Sequence, residues 1–461
     1  VKRPEPIVRA SNGLFDGLFG SPEMNALFDA NAQLQAMLDV EAALARAEAV
    51  SGVIPAAAVA AIVGACRAER FDVGALSAAA ARTGNLAIPL VEQLTAEVAR
   101  QDVEASRYVH LGATSQDVID TGLLLQTRGG LAVLEHELER AIVALERLVV
   151  QHRDTVMVGR TWLQHAVPIT FGLKAAGWLS ALCRDHARLR ALRPRVLCLQ
   201  FGGAAGTLGS LGTHGLAVSR ELASGLGLAL PDLPWHTQRD RIAEMGCVLG
   251  LLLASYGKLA RDVSLLMQTE VAEVGEPVAA GRGGSSSMPQ KRNPVGCAIA
   301  LAAAVRAPGL VSTLLTAAVQ EHERGLGGWQ AEWEPLPELF RLAGAAGHAM
   351  ADVFSGLHVD AQRMQANLDL GRGLPFAEQV AMALAEHLGR TDAHALVEHA
   401  CRQAQQSGRQ LRDELALCPE VRAHLDEQAL RALFEPSRAL GAAQQFIDRA
   451  LASAAQRERG G

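Results

Sequence analysis

From Thr121 to Arg153, Leu131, Leu134, Leu138, Ile142, Leu145 and Leu148 recur every three or four residues, and no proline breaks the run. That spacing puts the apolar side chains on one face of an α-helix. At about 1.5 Å per residue the segment extends roughly 50 Å. Comparable patterns run from Pro168 to Leu192, from Gln238 to about Val274, and onward from near Pro294. Helices of this length, with few strand signals between them, imply a long helical bundle. Their apolar stripes are wide, and a bundle this long packs against copies of itself, which predicts an oligomer.

Composition supports the same class. Alanine, the strongest helix former, is abundant, aromatics make up only 4%, and few β-branched runs lie between turn signals. The expected fold is all-α. A long central bundle over 110–358 is flanked by a smaller helical domain over 1–109 and another over 359–461. In the first, Ser21-Pro22 fits a helix N-cap followed by proline at the first helical position. Asp29–Val50 has helical spacing up to Gly52 and Pro55. Tyr108 to Thr121 reads as a polar loop entering a helix. In the last domain, Gly389-Arg390 marks a boundary and Thr391-Asp392 fits a helix cap.

Several classes are excluded or disfavoured. The formal charge of −6 argues against a generic nucleic-acid binder, although local basic clusters still permit an anionic substrate. The seven cysteines contain no CxxC pair and the histidines no HExxH, so a zinc site is not expected and the thiols read as reduced, in a cytoplasmic protein. Val1 to Gly20 lacks the apolar stretch of a signal peptide. The most apolar window, Cys297–Val319, is interrupted by Arg306 and Pro308 and reads as a buried core helix rather than a membrane span.

The most informative segment is Gly283-Gly284-Ser285-Ser286-Ser287-Met288-Pro289-Gln290-Lys291-Arg292-Asn293-Pro294. Glycines and serines supply N–H groups and hydroxyls, Lys291 and Arg292 add positive charge, and Pro294 opens a helix whose N-terminus favours anions. The segment reads either as an anion-binding lid or as a solvated linker. It is not a P-loop, since GxxxxGK[ST] is absent.

This segment resembles the fumarase/aspartase signature GSSxMPxKxNP at every defined position. Tyr108–Asp117 and Gly159–Ala166 resemble two further blocks of the adenylosuccinate-lyase-like branch. The likeness continues through Thr237–Arg241, Glu321–Arg324 and Gly373–Ala377. It implies β-elimination, or its reverse, next to a carboxylate, in a homotetramer with a central core of twenty helices. Each active site would draw on three subunits, and no cofactor or metal would be required.

Two positions depart from that pattern. Amine-releasing relatives carry histidine, as proton donor to the leaving group, where this chain has Trp162. A carboxylate one turn beyond the signature, which supports a proton carrier, is replaced by Ala298. A poor leaving group such as an amine needs a general acid, whereas a carboxylate with a pKa near 4 departs without a proton. Gly-Arg-Thr-Trp-Leu-Gln at 159–164 and Arg292–Gly296 resemble the bacterial muconate-lactonising branch. The implied activity is closure of 3-carboxy-cis,cis-muconate to 4-carboxymuconolactone, in protocatechuate breakdown through the β-ketoadipate pathway. The substrate is then a small tricarboxylate, with no nucleic acid or membrane involved.

By position in the motifs, Ser285 is expected to protonate carbon, with Ser286 as the alternative carrier. Lys291 and Asn293 match positions that hold a substrate carboxylate, and Lys291 would also stabilise the serine alkoxide. Thr114 and Ser115 would donate to another carboxylate. Arg160, Gln164, Gln238 and Arg324 are further substrate contacts, and Trp162 would shape the pocket. His110 matches a family histidine that assists acid–base work on the leaving group; here it is read either as a hydrogen-bond partner of the attacking carboxylate or as a structural histidine at a helix start, and His165 is a second candidate. Asp117 and Asp120 are expected to cap the following helix. Two other readings stay open: an adenylosuccinate-lyase-like eliminase and a catalytically silent scaffold.

Overall fold

The computed structural model describes residues 14–278, 283–284, 287–288 and 290–459. The fold is all-α. Six helices form most of its framework: α1 (Ala30–Val50), α2 (Ser115–Gln151), α3 (Phe171–Val196), α4 (Asp240–Leu266), α5 (Val295–Ala317) and α6 (Pro335–Ser355). Helices α2 to α5 correspond to the four long periodic patterns, and α6 is a further long helix not singled out from the sequence. Shorter helices make up most of the chain after Val359.

The chain forms two compact units. One runs to Leu138 and takes in Asp185–Gly257 and Ile299–His348. The other comprises Glu139–Arg184, Lys258–Ala298 and the chain from Ala349 onward. Each boundary falls within one of the helices α2 to α6, so each of these contributes a segment to both units. In the first unit, Leu34, Leu38 and Leu44 of α1 are buried in one cluster with Leu90, Leu94, Val118 and Leu222. Fully burying each such side chain contributes about 1.5–3 kcal/mol. In the second unit, Val380, Leu384, Val397, Leu411 and Leu415 form a separate core.

Helix ends follow local chemistry. Ser21 Oγ accepts from Met24 N–H at 3.2 Å, as its cap position predicts. Asp29 Oδ1 accepts from Ala32 N–H at 2.7 Å and opens α1. Helix α2 begins at Ser115, well before Thr121, because Asp117 reaches back to the Thr114 N–H at 3.1 Å. Helix α5 begins at Val295, where Glu276 accepts from the N–H groups of Gly296 (3.0 Å) and Cys297 (2.8 Å). Thr391-Asp392 does not cap a helix. The helix starts at Arg390 with Gly389 as its N-cap and no side-chain cap bond, so both residues lie inside the first turn.

Two expectations about the long segments need correcting. Pro168 lies in a strand rather than at a helix start: β1 (Val156–Thr161) and β2 (Gln164–Thr170) form an antiparallel hairpin ahead of α3. The α5 segment is not a buried core helix within this chain. Only 22% of its apolar window is buried, with Val305, Leu315 and the following Val319 exposed. One stripe, through Ala300, Ala303, Ala307 and Leu314, is covered, and the rest of the apolar surface is not. Helices α4 and α5 are both long and apolar enough to cross a membrane. None of the seven cysteines forms a disulfide, and among the described residues no group of three His, Cys, Asp or Glu is arranged to hold a metal.

Candidate active site

Thr114 and Ser115 open α2, and the loop before them is tightly constrained. His110 and Gly112 both have positive φ, 61° and 76°. A Cβ on Gly112 would lie 2.5 Å from Leu211 Cγ, so the turn requires glycine. Asp117 holds this loop against the irregular connection at 201–214. Its carboxylate accepts from Thr114 N–H, from Gly202 N–H at 3.1 Å and from Gly203 N–H at 2.9 Å, and His236 Nε2 lies 2.7 Å from it. Asp117 therefore does cap α2, but as one of four bonds on a buried carboxylate.

Asp120 does not cap α2. It is buried and paired with Arg239, whose guanidinium also meets Glu332. Arg239 donates to Asp120 at 2.7 and 3.2 Å and to Glu332 at 2.5 and 3.1 Å, and Trp329 Nε1 donates to Asp120 at 3.0 Å. Burial works against the charge on Arg239, but the two carboxylates outweigh it and push the pKa of the guanidinium up. Burial pushes the Glu332 carboxyl above its usual range despite Arg239.

Arg324 is brought to the same place. It donates to Gln116 Oε1 at 2.9 Å and to the carbonyls of Gly203 (2.6 Å) and Ala204 (3.1 Å). Gln238, next to Arg239 in sequence, is exposed. His110 is part-buried, and its Nδ1 lies 2.5 Å from Oε1 of the buried Glu41 on α1. Burial alone would lower the His110 pKa. The charge and hydrogen bond of Glu41, with the charge of Asp117, outweigh that and raise it.

A second group of motif residues sits on the β1–β2 hairpin. Arg160 on β1 makes two hydrogen bonds to the buried Glu273, at 2.9 and 2.7 Å, and Asn367 donates to the same carboxylate at 2.8 Å. Arg160 pairs across the hairpin with His165, and Thr161 with Gln164. Burial and the neighbouring Arg160 charge lower the His165 pKa. The two residues left for the turn are Trp162 and Leu163, with φ of 53° and 63°. Such turns favour Asn-Gly, and a bulky residue at positive φ is strained. Trp162 is nevertheless 97% exposed. Gln164 and His165, with Gly371, Pro375, Glu378 and others, line a cavity of about 670 Å³.

The third group is the segment before α5. Ser285 and Ser286 lie outside the described residues. Lys291 is exposed, and its backbone N–H donates to Met288 O at 3.0 Å. Asn293 donates through its backbone N–H to Gly283 O at 2.8 Å and through Nδ2 to Gly284 O at 3.3 Å. Gly283 has φ of 72°, and a Cβ there would lie 2.9 Å from Asn293 O.

The motif residues of one chain thus fall into three groups, at the start of α2, on the hairpin and before α5. Sequence reasoning missed Glu41, His236, Glu273 and Glu332 as partners. Glu41 did carry a faint signal: it is a charged residue directly between Val40 and Ala42, although Asp39 stands close by.

The long helices, the loop cradle at α2 and the signature before α5 define a lyase of the all-α bundle type. The chain belongs to the fumarase/aspartase superfamily, with the family described as Lyase matching residues 19–309 and Adenylosuccinate lyase C-terminus matching residues 373–450. It is 56% identical to a 3-carboxy-cis,cis-muconate cycloisomerase of Pseudomonas aeruginosa, over 96% of each chain. It is 54% identical to the enzyme of that name from Bradyrhizobium diazoefficiens, over 96% of this chain and 98% of that one. The crystal structure of a 3-carboxy-cis,cis-muconate lactonizing enzyme from Pseudomonas putida superposes with a TM-score of 0.92 at 50% identity, over 97% of this chain and 100% of that one.

Proposed function

We propose that the chain is a cycloisomerase that closes 3-carboxy-cis,cis-muconate to 4-carboxymuconolactone. The observation that carries this reading is Trp162, an indole whose N–H is too weakly acidic to act as a general acid where amine-releasing relatives carry an imidazole, at the exposed tip of a hairpin. The kinship with cycloisomerases at more than half identity supports it. An adenylosuccinate-lyase-like elimination and a silent scaffold are both less favoured.

In this reaction a carboxylate oxygen of the substrate adds to a conjugated double bond. The π electrons move to the carbon α to another carboxylate and give an aci-carboxylate. Ser285, or Ser286 in its stead, then delivers a proton to that carbon. The product has one proton more and one negative charge fewer than the trianionic substrate, and no leaving group is released. The extra charge on the intermediate calls for preorganised donors and cations. Lys291 and Asn293 supply these from the loop before α5, and Thr114 and Ser115 from the start of α2. Arg160, Gln164, Gln238 and Arg324 complete the anion contacts. Arg160 and Arg324 are already oriented, by Glu273 and by Gln116 with two carbonyls respectively.

The assembly is a homotetramer in which one site takes the α2 start, the hairpin and the signature loop from three different subunits. Two features support this. Trp162 and Leu163 stand in solvent on a strained turn, and α5 leaves much of its apolar surface uncovered. Copies of the chain, rather than lipid, would cover these faces, in keeping with a cytoplasmic enzyme.

The test is to incubate the protein with 3-carboxy-cis,cis-muconate in D₂O and follow the products by NMR. The expected result is 4-carboxymuconolactone carrying one new C–D bond. Unchanged substrate would refute the reading.

A further inference from the structure

Two groups of the proton-handling apparatus of amine-releasing relatives, a leaving-group acid and a carboxylate that supports a proton carrier, are replaced here, by Trp162 and Ala298. Elsewhere in the chain a histidine and a carboxylate are in close contact. His110 Nδ1 is 2.5 Å from Glu41 Oε1, and Glu41 is buried at 1% side-chain exposure. The two are 69 residues apart in sequence, so the pairing is made by the packing of α1 against the loop ahead of α2. His110 also holds a positive φ of 61°, a conformation that is uncommon for a residue with a side chain and that is kept only where surroundings enforce it. Among the described residues, Nε2 of the ring makes no hydrogen bond.

We propose that Glu41 is a positioning residue for the reaction: it fixes the His110 ring through Nδ1, so that Nε2 is presented to a carboxylate of the substrate. The inference rests on the function proposed above, and it decides between the two readings of His110 that the sequence leaves open. With Nδ1–H given to Glu41, a neutral ring offers only a lone pair at Nε2, whereas an imidazolium donates Nε2–H to a carboxylate in a charge-assisted bond. A buried carboxylate at the far nitrogen sets ring orientation and protonation together.

The charges acting on the ring come from two elements, Glu41 on α1 and Asp117 at the start of α2, and both raise the His110 pKa. Glu48, two turns along α1 from Glu41, is buried, and its carboxyl is pushed up to about 8 by burial and by Glu41. It therefore adds no negative charge next to Glu41 at neutral pH. The Glu41 and Asp117 carboxylates thus favour the imidazolium form of His110, the form that suits a trianionic substrate. The lactonisation rate should fall as the ring loses its proton, at a pH above the ordinary histidine value.

Glu41→Gln keeps the shape of the side chain and removes its charge. In the tetrameric enzyme it should raise KM for 3-carboxy-cis,cis-muconate by about 10- to 100-fold, the size of a lost charge-assisted hydrogen bond. It should change kcat much less and move the alkaline limb of kcat/KM toward lower pH. In a His110→Asn background the same substitution should have no further effect on KM, because the two residues act as one unit. A readout independent of turnover is the NMR titration of ring-labelled His110, which should shift to lower pH in Glu41→Gln. An unmoved His110 titration, or additive effects in the double variant, would overturn the proposal. If the protein does not lactonise the substrate but the His110 titration still moves, the proposed reaction fails while the Glu41–His110 coupling stands.

Discussion

The start of α2 and the tip of the β1–β2 hairpin treat their side chains in opposite ways. Around α2, Asp117, Asp120, Arg239 and Glu332 are buried, and each meets hydrogen-bonding partners within the same compact unit. At the hairpin tip, Trp162 and Leu163 stand 97% and 75% exposed on a backbone conformation that suits neither. Strain of this kind costs on the order of 1–3 kcal/mol per residue. The first region is finished by its own chain. The second is left exposed, and in the tetramer proposed above neighbouring subunits would cover it. Stability and function should therefore separate cleanly between the two regions.

The largest effect is expected in the buried network. Arg239→Met leaves Asp120 and Glu332 facing each other without a cation. It should cost about 3–5 kcal/mol of stability, read as a much lower midpoint in urea. A midpoint close to that of the parent protein would show that the network does not hold the α2 cradle.

At the hairpin the pattern should reverse. Trp162→Ala should lower kcat/KM by about 100-fold, as displaced substrates do, with little change in thermal midpoint. Hybrid tetramers of Trp162→Ala and Ser285→Ala subunits should recover part of the activity, since some sites then draw both intact residues from different chains. No recovery after verified subunit exchange would contradict sharing of the site. A loss of stability comparable to that of Arg239→Met would erase the contrast between the two regions.

The effect at Glu48 depends on pH. The folded chain holds its proton up to about pH 8, while the unfolded chain releases it near its ordinary value of 4.5. Folding therefore takes up a proton between those values, and stability falls as pH rises through that window. Glu48→Gln is neutral throughout and should flatten the decline, so its thermal midpoint should exceed that of the parent most clearly at pH 8–9. Equal pH slopes for the two proteins would rule this out.

The long helices are legible in the sequence because their apolar residues keep a helical period over many turns, as in Leu131 to Leu148. Helix α2 starts six residues before the apolar period does, since its cap is formed by Asp117 from inside the helix. The hairpin leaves no mark in the sequence because Trp162-Leu163 lacks the Asn-Gly chemistry that usually announces such a turn. The α5 pattern reads as core because one chain's sequence does not distinguish a stripe buried within the subunit from one left for another copy. For the candidate site, motif and resemblance single out Lys291, Asn293 and Thr114. Their supporting partners are not: Arg239 meets Asp120 from 119 residues away, and Arg160 meets Glu273 from 113. Pairings of that range depend on packing, which no local pattern encodes.

In the proposed reaction the oxygen that adds or departs is a carboxylate, which is the reason offered for an indole in the position of an acid. The decisive comparison sets kcat/KM of the parent protein for 3-carboxy-cis,cis-muconate, by loss of diene absorbance, against that for a succinyl-amine compound, by release of fumarate. Rapid loss of the diene and no detectable fumarate are expected. Efficient amine elimination with Trp162 in place, or an inert diene, would contradict this chemistry.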